Sequence, residues 1–222
     1  MPRVHIAAVV ITLLAALSLP AHANSTYLTF QGLKDGEAIS NFYNGGTGGF
    51  GSMSNYNFGI TFSSNALAIK SYLKGGSGGF NPTQTTSTAL FFTGTTGYMN
   101  VSGGFNNGIN FLYIAGATGT VTVWSGANGT GSVLATINLA PNGGSNSGCT
   151  GYPSLCNWTA VGLNFSGTAG SVTFTGTTNQ LGITDITVGS SRAAVPEPSS
   201  LLLLGSGVLV ISTRMRKRLR RS

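Results

Sequence analysis

The chain is poor in the residues on which most enzymes depend. Charged residues make up only 7% of its 222 residues, and it contains two histidines and two cysteines. Both histidines, His5 and His22, lie in the N-terminal segment that we expect to be removed on export. Without a histidine, the remaining chain cannot form a Ser-His-Asp triad, and neither cysteine has a histidine base to generate a thiolate. Two cysteines alone are also too few for a structural zinc site.

Helical periodicity is missing as well. Between residues 24 and 191, no stretch shows apolar residues recurring with the 3.6-residue period of an amphipathic helix. Apolar and aromatic residues recur instead in short alternating runs, separated by turns rich in glycine, asparagine and serine. We therefore predict an all-β fold, an antiparallel β-sandwich of jelly-roll-like topology, over residues 24–191. The predicted strands are 27–31, 57–62, 66–72, 89–93, 98–101, 109–115, 120–125, 133–139, 159–165, 171–175 and 181–188.

The positive net charge does not indicate a nucleic-acid-binding surface. The whole chain carries a formal charge of +7, but residues 24–194 contain four basic and three acidic side chains and so carry only +1. Arg3 contributes one further charge, and the tail from residue 195 contributes +5 from six basic residues and one acidic residue. Because the body has no basic patch interleaved with aromatics, we expect no nucleic-acid partner.

The N-terminus has the parts of a secretory signal peptide. Arg3 gives the positive start, residues 6–19 form an apolar core, and Pro20 ends it. The sequence Ala21-His22-Ala23 is a small-x-small cleavage site, so cleavage is expected between Ala23 and Asn24. The apolar core is too short for a transmembrane helix. We therefore predict a signal peptide over residues 1–23 and export by the Sec machinery.

The C-terminal region begins with a short peptide that no helix or central strand can contain. Residues 195–200 read V-P-E-P-S-S. Pro196 and Pro198 fix the backbone dihedral φ and remove two hydrogen-bond donors, so the backbone around Glu197 is extended. We expect this peptide to be accessible to another protein.

A membrane segment and a basic tail follow this peptide. Residues 199–213 are largely apolar and would span roughly 22 Å as a helix, against about 30 Å for a typical hydrocarbon core. Residues 214–222 contain six arginine and lysine residues, which favour the cytoplasmic side of a membrane. We therefore predict a short transmembrane helix over residues 199–213 that acts as a temporary stop.

The order of these parts resembles the PEP-CTERM protein-sorting signal of Gram-negative bacteria. Pro196, Glu197 and Pro198 form its motif, and the signal extends over residues 192–222. The resemblance implies transient anchoring in the inner membrane and processing by an exosortase, a membrane-bound transpeptidase-like enzyme. It further implies release to the cell surface or extracellular matrix of a bacterium that makes exopolysaccharide. It does not specify an activity for the body.

Glycine-rich segments in the body end in phenylalanine. Residues 45–50 read G-G-T-G-G-F, residues 75–80 read G-G-S-G-G-F, and residues 103–105 read G-G-F. Each phenylalanine is either an exposed tip that contacts a glycan or another chain, or a residue packed into the end of the core. Other aromatic residues that could stack on a sugar, or lie in the core instead, are Tyr43, Tyr56, Trp124, Tyr152 and Trp158.

The body contains only three carboxylates, Asp35, Glu37 and Asp185. Its opening F-x-G-L-x-D-G-E and its closing G-I-T-D-I-T-V-G resemble extracellular jelly-roll modules that bind a structural Ca²⁺ between their first and last strands. Gln31 and Thr184 stand where the familiar patterns have acids. We therefore assign no cofactor and no metal site, and retain the three carboxylates as candidate calcium ligands. The alternative is that Asp35 and Glu37 are solvated turn residues.

Two classes of function fit this composition. The first is an exported, non-catalytic surface or matrix protein associated with exopolysaccharide. The alternative is a secreted polysaccharide-active enzyme that uses Glu37 and Asp185 as its carboxylate pair. A shared cleft with the two carboxyl groups about 5 to 9.5 Å apart would favour the enzyme.

Cys149 and Cys156 frame the sequence C-T-G-Y-P-S-L-C, and in an exported chain we predict that they form a disulfide. Closing so short a loop stabilises the fold by about 2 to 3 kcal/mol in the chain-entropy description. Protein purified from the periplasm is expected to react with a thiol reagent only after reduction. Two labelled cysteines without reductant would exclude the disulfide.

Overall fold

The computed structural model describes residues 25–143 and 155–190, which fold into two antiparallel β-sheets. The predicted signal peptide with its Ala23–Asn24 cleavage site, the sorting region and Cys149 lie outside these ranges. Cys156 lies inside them and is not a free thiol, but its predicted pairing with Cys149 stays a prediction. No helix in the described part of the chain is long and apolar enough to cross a membrane.

Strands and two short 3-10 turns, Tyr72–Lys74 and Ala127–Gly129, are the regular elements of the described ranges. In chain order the strands are β1 (Thr26–Leu28), β2 (Glu37–Ala38), β3 (Ile60–Phe62), β4 (Ala66–Lys70), β5 (Thr88–Phe92), β6 (Thr96–Phe105), β7 (Gly108–Ala115), β8 (Gly119–Trp124), β9 (Val133–Leu139), β10 (Thr159–Asn164), β11 (Ala169–Gly176) and β12 (Leu181–Val188). The predicted all-β antiparallel sandwich is confirmed. Each predicted strand overlaps an observed one, and β2 is the strand that the sequence analysis missed.

The two sheets differ in size. The larger has the order β10-β7-β12-β5-β4-β2, with β1 also pairing with β12, and the smaller has the order β3-β6-β11-β8-β9. Strand β8 has the alternating burial that its sequence predicts: Val121 and Val123 are buried, and Thr122 between them is partly exposed. Strand β12 is buried along almost its whole length because it lies between β7 on one side and β5 and β1 on the other.

The core lies between the two sheets, and aromatic contacts in it connect one sheet with the other. Phe174 on β11 stacks on Phe92 of β5 at a ring-centroid distance of 5.7 Å and meets Phe111 of β7 edge-on at 6.2 Å. Burial of one such side chain stabilises a fold by about 1.5 to 3 kcal/mol. No buried side-chain nitrogen or oxygen within the described ranges lacks a hydrogen-bond partner.

A β-bulge in β12, the last strand, lies where β12 begins to pair with the first strand, β1. The register against β7 shifts between Thr184 and Thr187, and Asp185 adopts a φ of 53° there. Aspartate tolerates this left-handed conformation better than most residues. Before the bulge β12 pairs with β5, through Ile183 and Leu90, and after it β12 pairs with β1. The bulge therefore lets one strand contact two neighbours in succession.

Two local predictions need correction. The strand predicted over residues 27–31 ends at Leu28, and Phe30 has a φ of 60°, so the chain turns there although both side chains are buried. Glu37 is not a solvated turn residue, because it begins β2 and its side chain is 0% exposed. A strand of two residues is too short to show an alternating pattern.

The buried carboxylate of Glu37 holds a glycine-rich loop against the sheet. Its Oε1 accepts hydrogen bonds from the backbone N–H groups of Phe50 at 2.8 Å and Ser52 at 3.0 Å. Its Oε2 accepts from the backbone N–H of Lys34 at 2.7 Å and from the Ser52 hydroxyl at 2.6 Å. A Cβ at residue 48 would lie 2.5 Å from Oε1, so only glycine lets the backbone approach this closely.

Opposing effects set the pKa of Glu37. Burial disfavours the charged form and acts to raise the pKa, but the hydrogen bonds from Ser52, Lys34 and Phe50 together hold it below its ordinary value. Glu37 is therefore an anion at neutral pH, and the polar groups of the loop compensate its charge.

Glu37→Gln is expected to lower the free energy of unfolding at pH 7 by about 3 kcal/mol, because the new amide NH₂ would face hydrogen-bond donors inside the protein. A carboxylate with a lowered pKa stabilises the fold above its ordinary pKa of 4.5 and loses that contribution as the pH falls through the folded value. Urea unfolding at a series of pH values should therefore show a steeper acid loss in the wild type than in the variant.

Asp35→Asn is the matched control for this measurement. Asp35 is partly exposed, and its Oδ1 accepts a hydrogen bond from the backbone N–H of Lys70 at 2.7 Å. The amide oxygen of asparagine can accept the same hydrogen bond. Its expected cost is below about 1 kcal/mol. Equal losses for the two variants would show that Glu37 does not organise the loop.

Candidate functional site

Four exposed, largely apolar side chains lie on the loop that Glu37 holds. We call Phe50, Met53, Tyr56 and Phe58 the aromatic strip; their side chains are 57%, 79%, 53% and 37% exposed, respectively. The rings of Tyr56 and Phe58 stack at a centroid distance of 5.0 Å and an interplanar angle of 24°. The strip therefore presents two nearly parallel aromatic faces on the surface.

Tyr43 supports the strip from the core. It is buried, and its ring stacks on Tyr56 and on Phe58, each at a centroid distance of 6.3 Å. Its hydroxyl oxygen accepts a hydrogen bond from the backbone N–H of Phe30 at 2.7 Å, while burial raises its pKa. These contacts fix the exposed rings from below.

Backbone hydrogen bonds fix the same loop from its sides. The N–H of Phe58 donates to the carbonyl of Tyr43 at 2.8 Å, and the N–H of Gly45 donates to the carbonyl of Tyr56 at 3.0 Å. The N–H of Gly49 donates to the carbonyl of Ala38 in β2 at 2.8 Å. The loop is therefore a well-supported surface, although its sequence is rich in glycine.

Of the five aromatic residues predicted as possible sugar platforms, Tyr56 occupies such a position. Tyr43 lies in the core, and Tyr152 lies outside the described residues. Trp124 is partly buried and its Nε1–H donates to the Thr173 hydroxyl at 2.9 Å. Trp158 is also partly buried, and its Nε1–H donates to the Asn81 carbonyl at 2.7 Å.

The phenylalanines of the three glycine-rich segments fall into two groups. Phe50 is exposed, as expected for a contact tip. Phe80 is buried edge-on against Trp158 at 5.6 Å, and Phe105 is buried edge-on against Phe165 at 5.4 Å. The core interpretation is therefore correct for the second and third segments and wrong for the first.

Asp185 is a hydrogen-bond acceptor between strands. It is 7% exposed, and it accepts from the Tyr27 hydroxyl at 2.6 Å, the Thr85 hydroxyl at 2.6 Å and the Thr83 hydroxyl at 3.3 Å. Burial and then the hydrogen bond to Asp185 raise the pKa of Tyr27 to about 12. Asp185 thus ties β1 to the loop that precedes β5.

The predicted carboxylates are not brought together. Across the larger sheet, Glu37 lies opposite Ala68, then Leu90, then Ile183, which is three strand spacings or roughly 14 Å. Asp185 lies two residues further along β12. The carboxylates also have different partners, since Glu37 accepts from Lys34, Phe50 and Ser52 and Asp185 accepts from Tyr27, Thr83 and Thr85. Within the described ranges, no group of three or more His, Cys, Asp or Glu side chains could hold a metal ion. Calcium binding by Asp35, Glu37 or Asp185 stays a prediction.

Sequence analysis missed Met53 and Phe58 as members of the strip. Tyr56, Phe58, Ile60 and Phe62 alternate in one phase, which predicts a single strand face. Ile60 and Phe62 are buried in β3, whereas Tyr56 and Phe58 precede β3 and are exposed. Alternation identifies the face but not the residue at which the covering sheet ends.

Several solved structures resemble part of the chain at low similarity. A family 43 arabinoxylan arabinofuranohydrolase from Bacillus subtilis is 17% identical over 60% of this chain and 26% of its own, with a TM-score of 0.40. This chain thus spans about a quarter of that enzyme. A carbohydrate-binding module of the Cellvibrio mixtus lichenase 5A is 14% identical over 58% of this chain and 89% of its own, with a TM-score of 0.35. A family 29 carbohydrate-binding module is 14% identical over 78% of this chain and 99% of its own, also with a TM-score of 0.35.

The clearest similarity lies in the C-terminal region. No curated protein matches the chain significantly. Residues 194–217, however, match the PEP-CTERM protein-sorting motif, as the order of the proline-flanked peptide, apolar segment and basic tail predicted. The chain therefore carries a PEP-CTERM sorting motif, which is consistent with an exported, surface-associated protein.

Proposed function

We propose that the chain is a non-catalytic surface or matrix protein, exported by the Sec machinery and sorted by an exosortase-type system, that binds exopolysaccharide through its aromatic strip. The observation that carries the binding proposal is the stacked, exposed pair Tyr56 and Phe58 on a loop held by Glu37. The sorting motif at residues 194–217 supports the route. The proposal requires no cofactor.

Exposed, fixed aromatic rings suit the C–H faces of a sugar. Contiguous apolar side chains on a protein surface mark contact sites, because leaving them in water is unfavourable. Aromatic rings contribute large contact area and lose little conformational freedom on binding. The contacts from Tyr43 and Glu37 order the loop before a ligand arrives, which reduces the entropic cost of binding.

Several features support a non-catalytic role. Glycoside hydrolysis requires one carboxyl group that can act as an acid and a second across the scissile bond. Glu37 is fully buried, and its oxygens accept four hydrogen bonds from the chain itself. Asp185 is nearly buried and is bonded by three hydroxyl groups. Neither carboxylate is placed to meet a substrate.

Replacing the stacked pair tests the binding site. Tyr56→Ser combined with Phe58→Ser is expected to weaken binding of the full-length chain to exopolysaccharide purified from its host by about tenfold or more, because two stacking faces are lost. Isothermal titration in a mild detergent measures the change. Tyr56→Phe keeps the aromatic face and should retain most of the affinity.

Val133→Ser is the control for general loss of exposed apolar surface. Val133 is 54% exposed and lies on the edge strand β9 of the smaller sheet. This substitution should leave binding unchanged, and all variants should keep the unfolding midpoint of the wild type to within a few degrees. Unchanged binding by the double variant would disprove the role of the strip.

The sorting route is tested separately at the tail. Glu197→Ala should leave the protein full-length and membrane-bound in a host that has the exosortase, because it alters the accessible peptide between Pro196 and Pro198. Removing the basic residues 214–221 should let the body pass through the membrane unprocessed. Mass spectrometry of wild-type protein released from the surface should find a C-terminus near Pro198 and nothing from Leu201 onward. Released protein that still carries the basic tail would identify the segment as a permanent anchor.

A further inference from the structure

A polar cleft of about 940 Å³ lies beside the loop that carries the aromatic strip. Its lining comprises residues 31–35, Lys70, Lys74, Gly75 and residues 82–88. The contact with the strip is direct, since the Lys34 ammonium donates to the backbone carbonyl of Phe50 at 2.9 Å. The cleft therefore adjoins the loop at Phe50.

The cleft gathers the positive charge of the described body. Lys34, Lys70 and Lys74 are the basic residues within the described ranges, and all three line this one cleft. Asp35 is the carboxylate among the lining residues, and it accepts a hydrogen bond from the backbone N–H of Lys70 at 2.7 Å. The lining therefore carries a formal charge of +2, although the described body as a whole is neutral, with three lysines and three acids.

Hydroxyl and amide groups form the rest of the lining. Residues 82–88 contribute four threonines, a serine and Gln84. Their backbone is ordered, because the Thr83 hydroxyl accepts from the N–H groups of Thr85 at 3.2 Å and Thr86 at 3.0 Å. Gln31 donates its side-chain N–H to the Thr85 carbonyl across the cleft lining. The hydroxyls of Thr83, Thr85 and Thr86 already donate within the protein. The exposed amide of Gln84 can exchange hydrogen bonds with a polyhydroxylated ligand, while the lysines attract anions.

We propose that this cleft binds the carboxylate-bearing units of an acidic exopolysaccharide, so that the lysines and the aromatic strip form one binding surface. The inference rests on the proposed function and names its ligand class. A carboxylated glycan fits better than a nucleic acid, because the described lining has no arginine for bidentate phosphate contacts. Glu37 and Asp185, the other acids of the described body, are buried and accept hydrogen bonds from lining residues. The three ammonium groups are therefore the accessible groups that attract an anion.

The test compares one glycan with and without its charge. Polygalacturonate and its fully methyl-esterified form share a sugar backbone, but only the first carries carboxylates. The full-length chain is used in detergent, with the six basic residues of 214–221 replaced by glutamine in every sample so that the tail does not attract the polyanion. At low ionic strength the acid form is expected to bind about tenfold more tightly than the ester, and added salt should remove most of this preference.

Lys70→Gln combined with Lys74→Gln removes two of the three charges without disturbing Lys34, whose ammonium supports the loop. This double variant should bind the acid form about fivefold more weakly and the ester with unchanged affinity. Tyr56→Ser combined with Phe58→Ser should weaken binding of both glycans by the same factor. Equal affinity of the wild type for acid and ester, or an unchanged acid affinity of the lysine variant, would overturn the inference.

The outcomes separate this inference from the proposed function. Binding that depends on Tyr56 and Phe58 but ignores glycan charge would leave the proposed function standing and remove the cleft from the site. Binding that depends on the lysines alone would show that the strip is not part of the binding site and would contradict the proposed function. Equally tight binding of a double-stranded DNA oligonucleotide would show a general attraction for polyanions and contradict a glycan site. Failure to bind either glycan would overturn the ligand class.

Discussion

The buried carboxylate of Glu37 is the constraint on which the surface of this protein depends. An anion removed from water is strongly unfavourable unless hydrogen bonds replace its hydration. Here the backbone N–H groups of Lys34, Phe50 and Ser52 and the Ser52 hydroxyl supply that replacement, and they come from two segments that are distant from each other along the chain. To satisfy the charge, the loop must lie flat against β2, and it can do so only because residue 48 is glycine. The exposure of Phe50 and Met53 on the outer side of that loop is a consequence of what Glu37 requires on the inner side.

Asp185, in the last strand, is a second buried carboxylate that accepts hydrogen bonds from distant parts of the chain. Its position in the bulge of β12 lets β12 pair first with β5 and then with β1, while its oxygens accept hydrogen bonds from Tyr27 and from the threonines that line the polar cleft. The first strand, the last strand and one wall of the cleft are therefore fixed by a single side chain. In a chain with so few charges, all three carboxylates of the body accept hydrogen bonds from the chain itself, and two of them, Glu37 and Asp185, are buried. This use accounts for the burial of both side chains and for the separate sets of hydrogen bonds that they accept.

The strands were predictable and the surface was not, for a physical reason. Alternation reports which side chains share a face, and it located strands from β3 to β12 because each face packs on a continuous core. It failed at β2, which has two residues, and it placed Tyr56 and Phe58 in phase with the buried Ile60 and Phe62. The two G-G-x-G-G-F segments also have different outcomes. Phe80 packs against Trp158, whereas the backbone N–H of Phe50 bonds to Glu37 and its side chain is exposed. Both outcomes depend on contacts between residues that are distant in sequence, which no local pattern encodes. The family match identifies the sorting motif in the tail, whereas signal-peptide cleavage, membrane anchoring and the pairing of Cys156 with Cys149 stay predictions.

The distribution of charge connects the proposed sorting route with the proposed ligand. After removal of the signal peptide, the chain carries +6, of which residues 24–194 contribute only +1. While the basic tail is present, it is the largest cluster of positive charge in the chain, and it favours the anionic inner leaflet of the membrane. On the proposed route, cleavage of the tail leaves Arg192 and the three lysines of one cleft as the basic residues of the body, and the cleft adjoins the loop that carries the aromatic strip. A weak local field of this kind is screened within about 8 Å at physiological ionic strength, so it acts only on a glycan already in contact with the strip. On the proposed route, processing therefore changes which partners the chain attracts. It removes the attraction of the basic tail for any anion. It leaves the short-range attraction of the cleft lysines, which acts only on a glycan already stacked on the strip.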